Sequence, residues 1–335
     1  MNESHIPQPN EMPHVLKETK NKIRVEFERT PLWQRIKAKF FSTFFLQKVV
    51  WYLFRLILLI GISYIILFPF FAKVTGSFMD PYDTADTTVR MIPKNWTLDT
   101  YKAIIVENNF LEAFFNTLGL SLACALIQTL VACLVGYGLA KFRFRGNKIV
   151  MLLVVLTMIV PHDTIRMALA QWFDPFYDTD LPLMFLSITG LAFKNGLFIF
   201  LMRQFFNGVP DELEESAYVD GSGVFRTFVQ IILPLSIPMM ITIFVLSFSW
   251  QWTDDFYIKL FNDTSVSTAD RVLMPMVQAM PSSLMSLKDK LPTYPMYESI
   301  VFNTASLLIM APLVIIYLFC QRYLIQGIER SGIVG

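Results

Sequence analysis

Charge is what this sequence has least of. Only 16% of its 335 residues are Asp, Glu, Lys or Arg, and 54% are hydrophobic, where an average soluble domain carries about 25% charged residues. The few charges nearly cancel at a formal +1, which removes the bulk field that nucleic acid or an acidic partner would respond to. Of three histidines, His5 and His14 lie in the N-terminal polar segment and only His162 lies elsewhere. One imidazole cannot build a zinc centre, and neither a nucleophile–base–acid triad nor a close pair of carboxylates with a nucleophile is present. Cys124, Cys133 and Cys320 all fall in apolar runs without disulfide or zinc spacing, so buried free thiols are expected. No Gly-x-x-x-x-Gly-Lys-Ser/Thr stretch occurs, which excludes nucleotide binding by a phosphate loop. These absences predict no metal site, no cofactor and no enzymatic centre.

Long hydrophobic runs are abundant instead. Six segments approach the ~20 residues that a helix needs to cross a hydrocarbon core. They lie near Val49 to Val74, Leu111 to Ala140, Ile149 to Phe173, Leu183 to Arg203, Ser236 to Tyr257 and Ile300 to Arg322. An all-α integral membrane protein of six transmembrane helices is the expectation. The first run follows a long polar segment with no small-residue cleavage site, which reads as an anchor and not a signal peptide. Ahead of it, Trp33, Ile36, Phe40 and Phe44 recur on one helical face, opposite Arg35, Lys37 and Lys39. That pattern fits a helix lying on the membrane surface, or else an arm that touches a regulatory partner.

Basic residues set the orientation. Lys17, Lys20, Lys22, Arg24, Arg29, Arg35, Lys37, Lys39 and Lys48 precede the first run, and Lys141, Arg143, Arg145 and Lys148 crowd the short second connection. Both regions are therefore predicted cytoplasmic, as are both termini. The expected organisation is a cytoplasmic arm (1–48), a first span (49–74), an extracytoplasmic loop (75–110), a five-helix core (111–322) and a cytoplasmic tail (323–335). The core includes a cytoplasmic loop, 204–235.

That loop is where the sequence is most specific. Pro210 suits a first helical position, and Asp211, Glu212, Glu214 and Glu215 suit the positive end of a helix dipole. Gly221 can supply a left-handed turn that ends the helix. Val224, Phe225, Phe228, Ile231 and Ile232 then recur at helical spacing, with Pro234 expected to stop the pattern. A short helix, a glycine turn and a second helix would form a knuckle outside the bilayer.

Glu215-Ser216-Ala217, Gly221, Ile231, Leu233 and Pro234 resemble the signature loop of binding-protein-dependent ABC import permeases: Glu-Ala-Ala, three residues, Gly, nine residues, Ile-x-Leu-Pro. Ser216 is the one departure, small for small. The resemblance extends along most of the chain to the carbohydrate-uptake, MalG-like branch of these permeases. It is carried by Ile92-Pro93 with Trp96-Thr97-Leu98, by Tyr137 to Gly146, by Met158 to Pro161, by Leu201 to Phe206, by Trp252-Thr253-Asp254, and by Gln321-Arg322-Tyr323 with Gly327.

The resemblance implies a type I ABC importer permease fold in the plasma membrane of a prokaryote. It implies four partners: a second, homologous permease, a cytoplasmic ATPase dimer, an extracytoplasmic solute-binding protein and a carbohydrate substrate. The loop residues Glu214, Glu215, Ser216, Ala217, Asp220, Gly221, Leu233 and Pro234 would couple the chain to the ATPase. The outward loops near Lys73 to Glu107 and Phe261 to Ser299 would face the binding protein. An ion-coupled secondary transporter, an importer of a non-sugar solute and a membrane enzyme are the alternatives. No internal repeat of the kind that secondary transporters carry is visible.

Polar residues inside apolar runs are candidates for a solute path. Asp163 and Arg166 share a helix face, where they could neutralise one another or line the path. Lys194, read as mid-span in the fourth run, could pair with an acid on another subunit or meet the solute. Ser247, Trp250 and Asp254 fall on one face of the fifth run, where they could meet a sugar or, for the aromatic, anchor at the membrane interface.

Overall fold

The computed structural model describes residues 43–84, 86–107, 110–262 and 294–332. The expected surface helix beginning at Pro31 and most of the second outward loop lie outside the described residues. By its internal contacts the chain divides into two units, 1–71 and 72–335.

The first unit contains most of α1 (Thr43–Gly76), a single apolar helix with Pro69 inside it. Its run of Val, Leu, Ile and aromatic residues has no polar face, as suits a helix whose solvent is lipid.

The second unit is built on α3 (Phe110–Lys141), which contributes to three successive apolar clusters. Near its start, Phe110, Ala113 and Ala125 pack with Phe248 and Trp252 of α10 (Leu233–Trp252) and with Tyr297, Val301 and Ala305 of α12 (Tyr294–Gly332). Leu120 and Cys124 meet Leu183 and Leu186 of α6 (Leu181–Thr189) and Tyr257 and Phe261 of α11 (Phe256–Phe261). Toward its end, Ala132, Cys133, Tyr137 and Leu139 pack on Phe198, Met202 and Phe206 of α7 (Asn195–Asn207). The α3–α7 approach is close enough that a Cβ on Gly136 would lie 2.6 Å from that of Met202. Small residues permit such backbone approach between membrane helices.

Among the described residues four helices are long and apolar enough to cross a membrane: Gln47–Gly76, Phe110–Lys141, Val224–Trp252 and Tyr297–Ile325. The third expected run is two helices, α4 (Asn147–Ile159) and α5 (His162–Phe173), bent by 101° at Val160-Pro161. A proline ring cannot fit the preceding turn and holds the residue before it extended, here at φ −68°, ψ 118°. The fourth run is also broken. α6 stops at Gly190 (φ 76°), and Lys194 (φ 64°) caps α7. Lys194 is thus not mid-helix but at a junction, and it is exposed.

One further expectation changes. Pro234 does not end the helix that starts at Val224. The backbone instead widens into a π turn over Phe228–Ile232, between α9 (Val224–Thr227) and α10. Proline removes one N–H donor and crowds the carbonyl four residues back, and a wider turn relieves both. The last helix continues without a break past Arg322 to Gly332, with Pro312 inside it.

The 77–98 segment is tied by its own polar groups. Asp83, buried, accepts the backbone N–H of Lys94 (2.8 Å) and Asn95 (2.7 Å) and the Asn95 side-chain amide (2.9 Å). Thr100 of α2 (Asp99–Glu107) shares a buried hydroxyl hydrogen bond of 2.8 Å with Tyr297 of α12.

Candidate functional site

Two places concentrate the candidate residues. The first is the loop around α8 (Glu212–Val219). Asp211, not Pro210, is the N-cap, so the proline stands one residue outside the helix. Ser216 returns its hydroxyl to the Glu212 carbonyl at 2.7 Å, a bond that a Ser can make within a helix and an Ala cannot. At the other end Gly221 takes φ 84°, its N–H meets the Tyr218 carbonyl at 3.0 Å, and the Ser222 N–H meets that of Ala217 at 2.9 Å. This pair of bonds is the Schellman arrangement that a left-handed residue after a helix creates. A Cβ on Gly221 would meet nothing within 4 Å, so the glycine is required by its backbone angle and not by space.

The helix is fastened to the membrane core on one side only. Lys141, at the end of α3, donates to the Val209 carbonyl at 2.7 Å and pairs with the Asp211 carboxylate. That contact holds the Asp211 carboxyl below the usual carboxylate range. Tyr137 packs edge-on against Phe206 (5.5 Å) and tilted against Phe228 (4.7 Å), and its hydroxyl and that of Tyr218 lie near Glu214. Glu214 and Ala217 are buried. Burial raises the Glu214 carboxyl above its ordinary value, although Lys141 opposes the shift. The opposite face, with Glu212, Glu215, Asp220 and the apolar Leu213, Val219 and Phe225, is exposed. Acidic and apolar side chains thus share one exposed surface.

The second place is a small cavity of about 10 Å³, room for about one water, lined by Gln128, Phe193, Ser247, Trp250, Gln251, Asp254 and Tyr257. Three sequence-predicted residues, Ser247, Trp250 and Asp254, do line one space, although Asp254 lies past the end of α10. Ser247 donates to the Gln128 amide oxygen at 2.7 Å, and the Gln128 nitrogen donates to Ser187 at 3.2 Å. Trp250 stacks on Phe198 at 5.5 Å. The Lys194 ammonium lies over the Phe193 ring (4.6 Å) and the Trp250 ring (5.7 Å), so within this chain it meets aromatic faces. Asp163 and Arg166 are not brought into this space, and no ion pair joins them. Arg166 instead lies over Phe256 at 5.9 Å.

Gln128, Gln251, Phe193 and Tyr257 were not singled out from sequence. An amide inside an apolar run is the signal that marks Gln128, since a helix that meets only lipid has no partner for it.

The described residues form a helical bundle with an exposed, glycine-turned loop, the fold of the ABC importer compared below. Residues 128–330 match the family described as the binding-protein-dependent transport system inner membrane component, and the chain belongs to that family. It is a permease subunit and a multi-pass plasma-membrane protein. Its relatives include the inner membrane ABC transporter permease protein YcjP of Escherichia coli, 26% identical over 81% of this chain and 92% of that protein. The probable starch degradation products transport system permease protein AmyC of Thermoanaerobacterium thermosulfurigenes is 30% identical over 56% of this chain and 67% of its own length. The crystal structure of a bacterial ABC transporter involved in the import of the acidic polysaccharide alginate superposes with a TM-score of 0.66 at 18% identity. It covers 83% of this chain and 97% of that one.

Proposed function

We propose that this chain is the membrane-spanning subunit through which an ATP-driven importer passes a carbohydrate. It would cross the membrane six times with both termini in the cytoplasm, the bent α4–α5 pair and the broken α6–α7 pair each serving as one span. Nucleotide hydrolysis belongs to a separate ATPase dimer, and a second, homologous permease and an extracytoplasmic binding protein complete the assembly. The carbohydrate assignment is supported by the starch degradation products named for AmyC.

The observation that carries this reading is the one-sided attachment of the loop. Lys141, Glu214 and Ala217 fix α8 to the core while Glu215, Asp220 and Gly221 face outward. ATP-driven closure of the ATPase dimer would move such a loop as a rigid body and swing the spans between inward-open and outward-open states. Glu214, Ser216 and Ala217 set its shape, and Leu233 and Pro234 carry the motion into α10 through the π turn. Ser247, Trp250, Asp254 and Lys194 would line or rim the solute path. Asp163 and Arg166, in α5, would face the path only in another state of the transport cycle.

The test is to crosslink Glu215→Cys in cells expressing the chain with its genomic neighbours. Capture of a nucleotide-hydrolysing protein from the cytoplasmic side is expected. Labelling of that cysteine from outside, or solute uptake by the purified chain alone from an ion gradient, would overturn the assignment.

A further inference from the structure

The turn that joins α3 to α4, with the first residues of α4, holds Lys141, Arg143, Arg145 and Lys148 and no acid. Lys141 is engaged by Val209 and Asp211. Arg143, Arg145 and Lys148 are exposed, and none of them makes an ion pair among the described residues. The carboxylate that senses Arg143 is that of Asp211, which Lys141 already pairs. The turn itself is ordered. The Asn147 side-chain amide donates to the carbonyls of Leu139 (3.1 Å) and Phe142 (3.0 Å), and the Asn147 N–H meets the Phe144 carbonyl at 3.3 Å. Three cations without a counter-charge therefore project from a fixed loop.

Aromatic residues alternate with the arginines. Phe142 and Phe144 are 44% and 47% exposed, and Phe142 rests edge-on against Tyr137 at 5.5 Å. Beyond the turn, Ile149, Leu152, Leu153 and Leu156 recur at helical spacing along α4, and all four are exposed. Cations, aromatic rings and an apolar stripe thus follow one another along the chain, in the order of phosphate level, interface and acyl region in a lipid leaflet.

Charge selects what covers this stripe. Cytoplasmic edges of membrane proteins are enriched in Lys and Arg, so a second permease would set cations against cations. A soluble ATPase could supply acids but does not reach the apolar stripe inside the bilayer. An anionic phospholipid supplies both the opposite charge and the acyl chains, and a guanidinium can hold a phosphate through two parallel hydrogen bonds.

We propose that Arg143, Arg145 and Lys148 bind the phosphate of an anionic phospholipid of the inner leaflet, whose acyl chains lie along Ile149, Leu152, Leu153 and Leu156. The inference goes beyond the importer reading and takes from it only the cytoplasmic placement of this turn.

The experiment uses the intact complex, copurified with its partners, in phosphatidylcholine nanodiscs doped with a phosphatidylglycerol that carries a photoactivatable acyl chain. Mass spectrometry should find the label on residues 149–156. Unlabelled phosphatidylglycerol should compete about tenfold or more better than phosphatidylcholine, and the advantage should shrink at high salt. Arg143→Gln combined with Arg145→Gln should lose most of that selection, while Lys141, Lys148 and the basic N-terminal segment remain to hold the orientation. Arg143→Lys combined with Arg145→Lys, which keeps the charge, should retain it. Equal competition by the two lipids, or selection undiminished in the double glutamine variant, would overturn the site and leave the importer reading intact. If the glutamine variant does not assemble, the wild-type competition and its salt dependence decide. Absence of label on α4 while other spans are labelled would make the stripe a protein interface and end the proposal. Reaction of Lys148→Cys from the outside only would remove the placement of the turn, and the lipid site with it.

Discussion

The ammonium of Lys141, at the last turn of one long helix, bridges the Val209 carbonyl and the Asp211 carboxylate at the entrance to α8. Its side chain is 7% exposed and that of Asp211 is 72% exposed, so the two ends of this contact differ in weight. The lysine is a buried cation with a backbone acceptor, while the aspartate is a surface acid.

Replacing Lys141 by Met should therefore destabilise the protein by about 1–2 kcal/mol, because the Val209 carbonyl loses a charge-assisted bond. Asp211→Asn should have the smaller effect, since exposed ion pairs are screened by solvent. Thermal unfolding of both variants in detergent micelles ranks them, and an equal loss from the two would show that the aspartate is the true anchor.

Gly221 and Gly196 should respond to alanine for different reasons. At Gly221 the cost is the left-handed backbone alone, about 1 kcal/mol, with Asn tolerated better than Ala. At Gly196 a Cβ would meet the Val154 carbonyl at 2.9 Å and the Thr157 hydroxyl still closer, so α4 and α7 would have to separate. Gly196→Ala should depress the yield of folded protein, whereas Gly221→Ala should fold and lose ATP-coupled uptake. Normal uptake by a bulky residue at Gly221 would count against α8 as the coupling element.

Glu214 makes stability depend on pH. Its carboxyl is raised above the ordinary 4.5 by burial, so the folded state holds its proton more tightly than the unfolded state does. The associated stabilisation is complete below the unfolded value and disappears as pH rises through the folded one. Glu214→Gln removes this titration. Relative to that variant, the wild type should lose melting temperature between acidic and neutral pH, and parallel curves would contradict the burial argument. Asp211 acts in the opposite sense. Its lowered value means that its pairing with Lys141 is lost on acidification.

Ser247→Ala should leave the Gln128 amide oxygen buried and unpartnered, at a cost of about 1–3 kcal/mol. Ser247→Thr, which keeps the hydroxyl, should retain more of the stability. The pair of melting temperatures separates loss of the hydrogen bond from loss of volume.

Topology gives a further measurement. On a cysteine-free background, Lys148→Cys should react with impermeant reagents only from the inside and Trp172→Cys only from the outside. Reaction of both from the same side would make α4 and α5 a re-entrant hairpin, and the six-span reading would fail.

Much of this was legible from the order of residue types alone. Runs of apolar residues fix where helices must lie, because backbone groups in lipid have no other partner. The loop was legible through the resemblance of Glu215, Gly221 and Pro234 to a permease signature, and its turn because glycine tolerates a positive φ. The sequence did not reveal how long stretches bend. Pro161 could have ended a helix or merely kinked it, and Lys194 looked like mid-span because an apolar run does not register a break at Gly190. Nor could it show that Pro234 would be absorbed by a π turn, since that depends on how Phe228 and Ile232 pack into the α3–α7 cluster.

What the sequence determined by itself is local: which segments avoid water, which residue tolerates φ of 84°, and where acids outnumber bases. What only the tertiary structure decided is which distant residues meet. Gln128 lies more than a hundred positions from Ser247 and Asp254, yet they line one cavity, and Lys141 reaches Val209 across 68 residues. Such partnerships arise from the packing of helices against one another, and residue spacing along a chain carries no record of them.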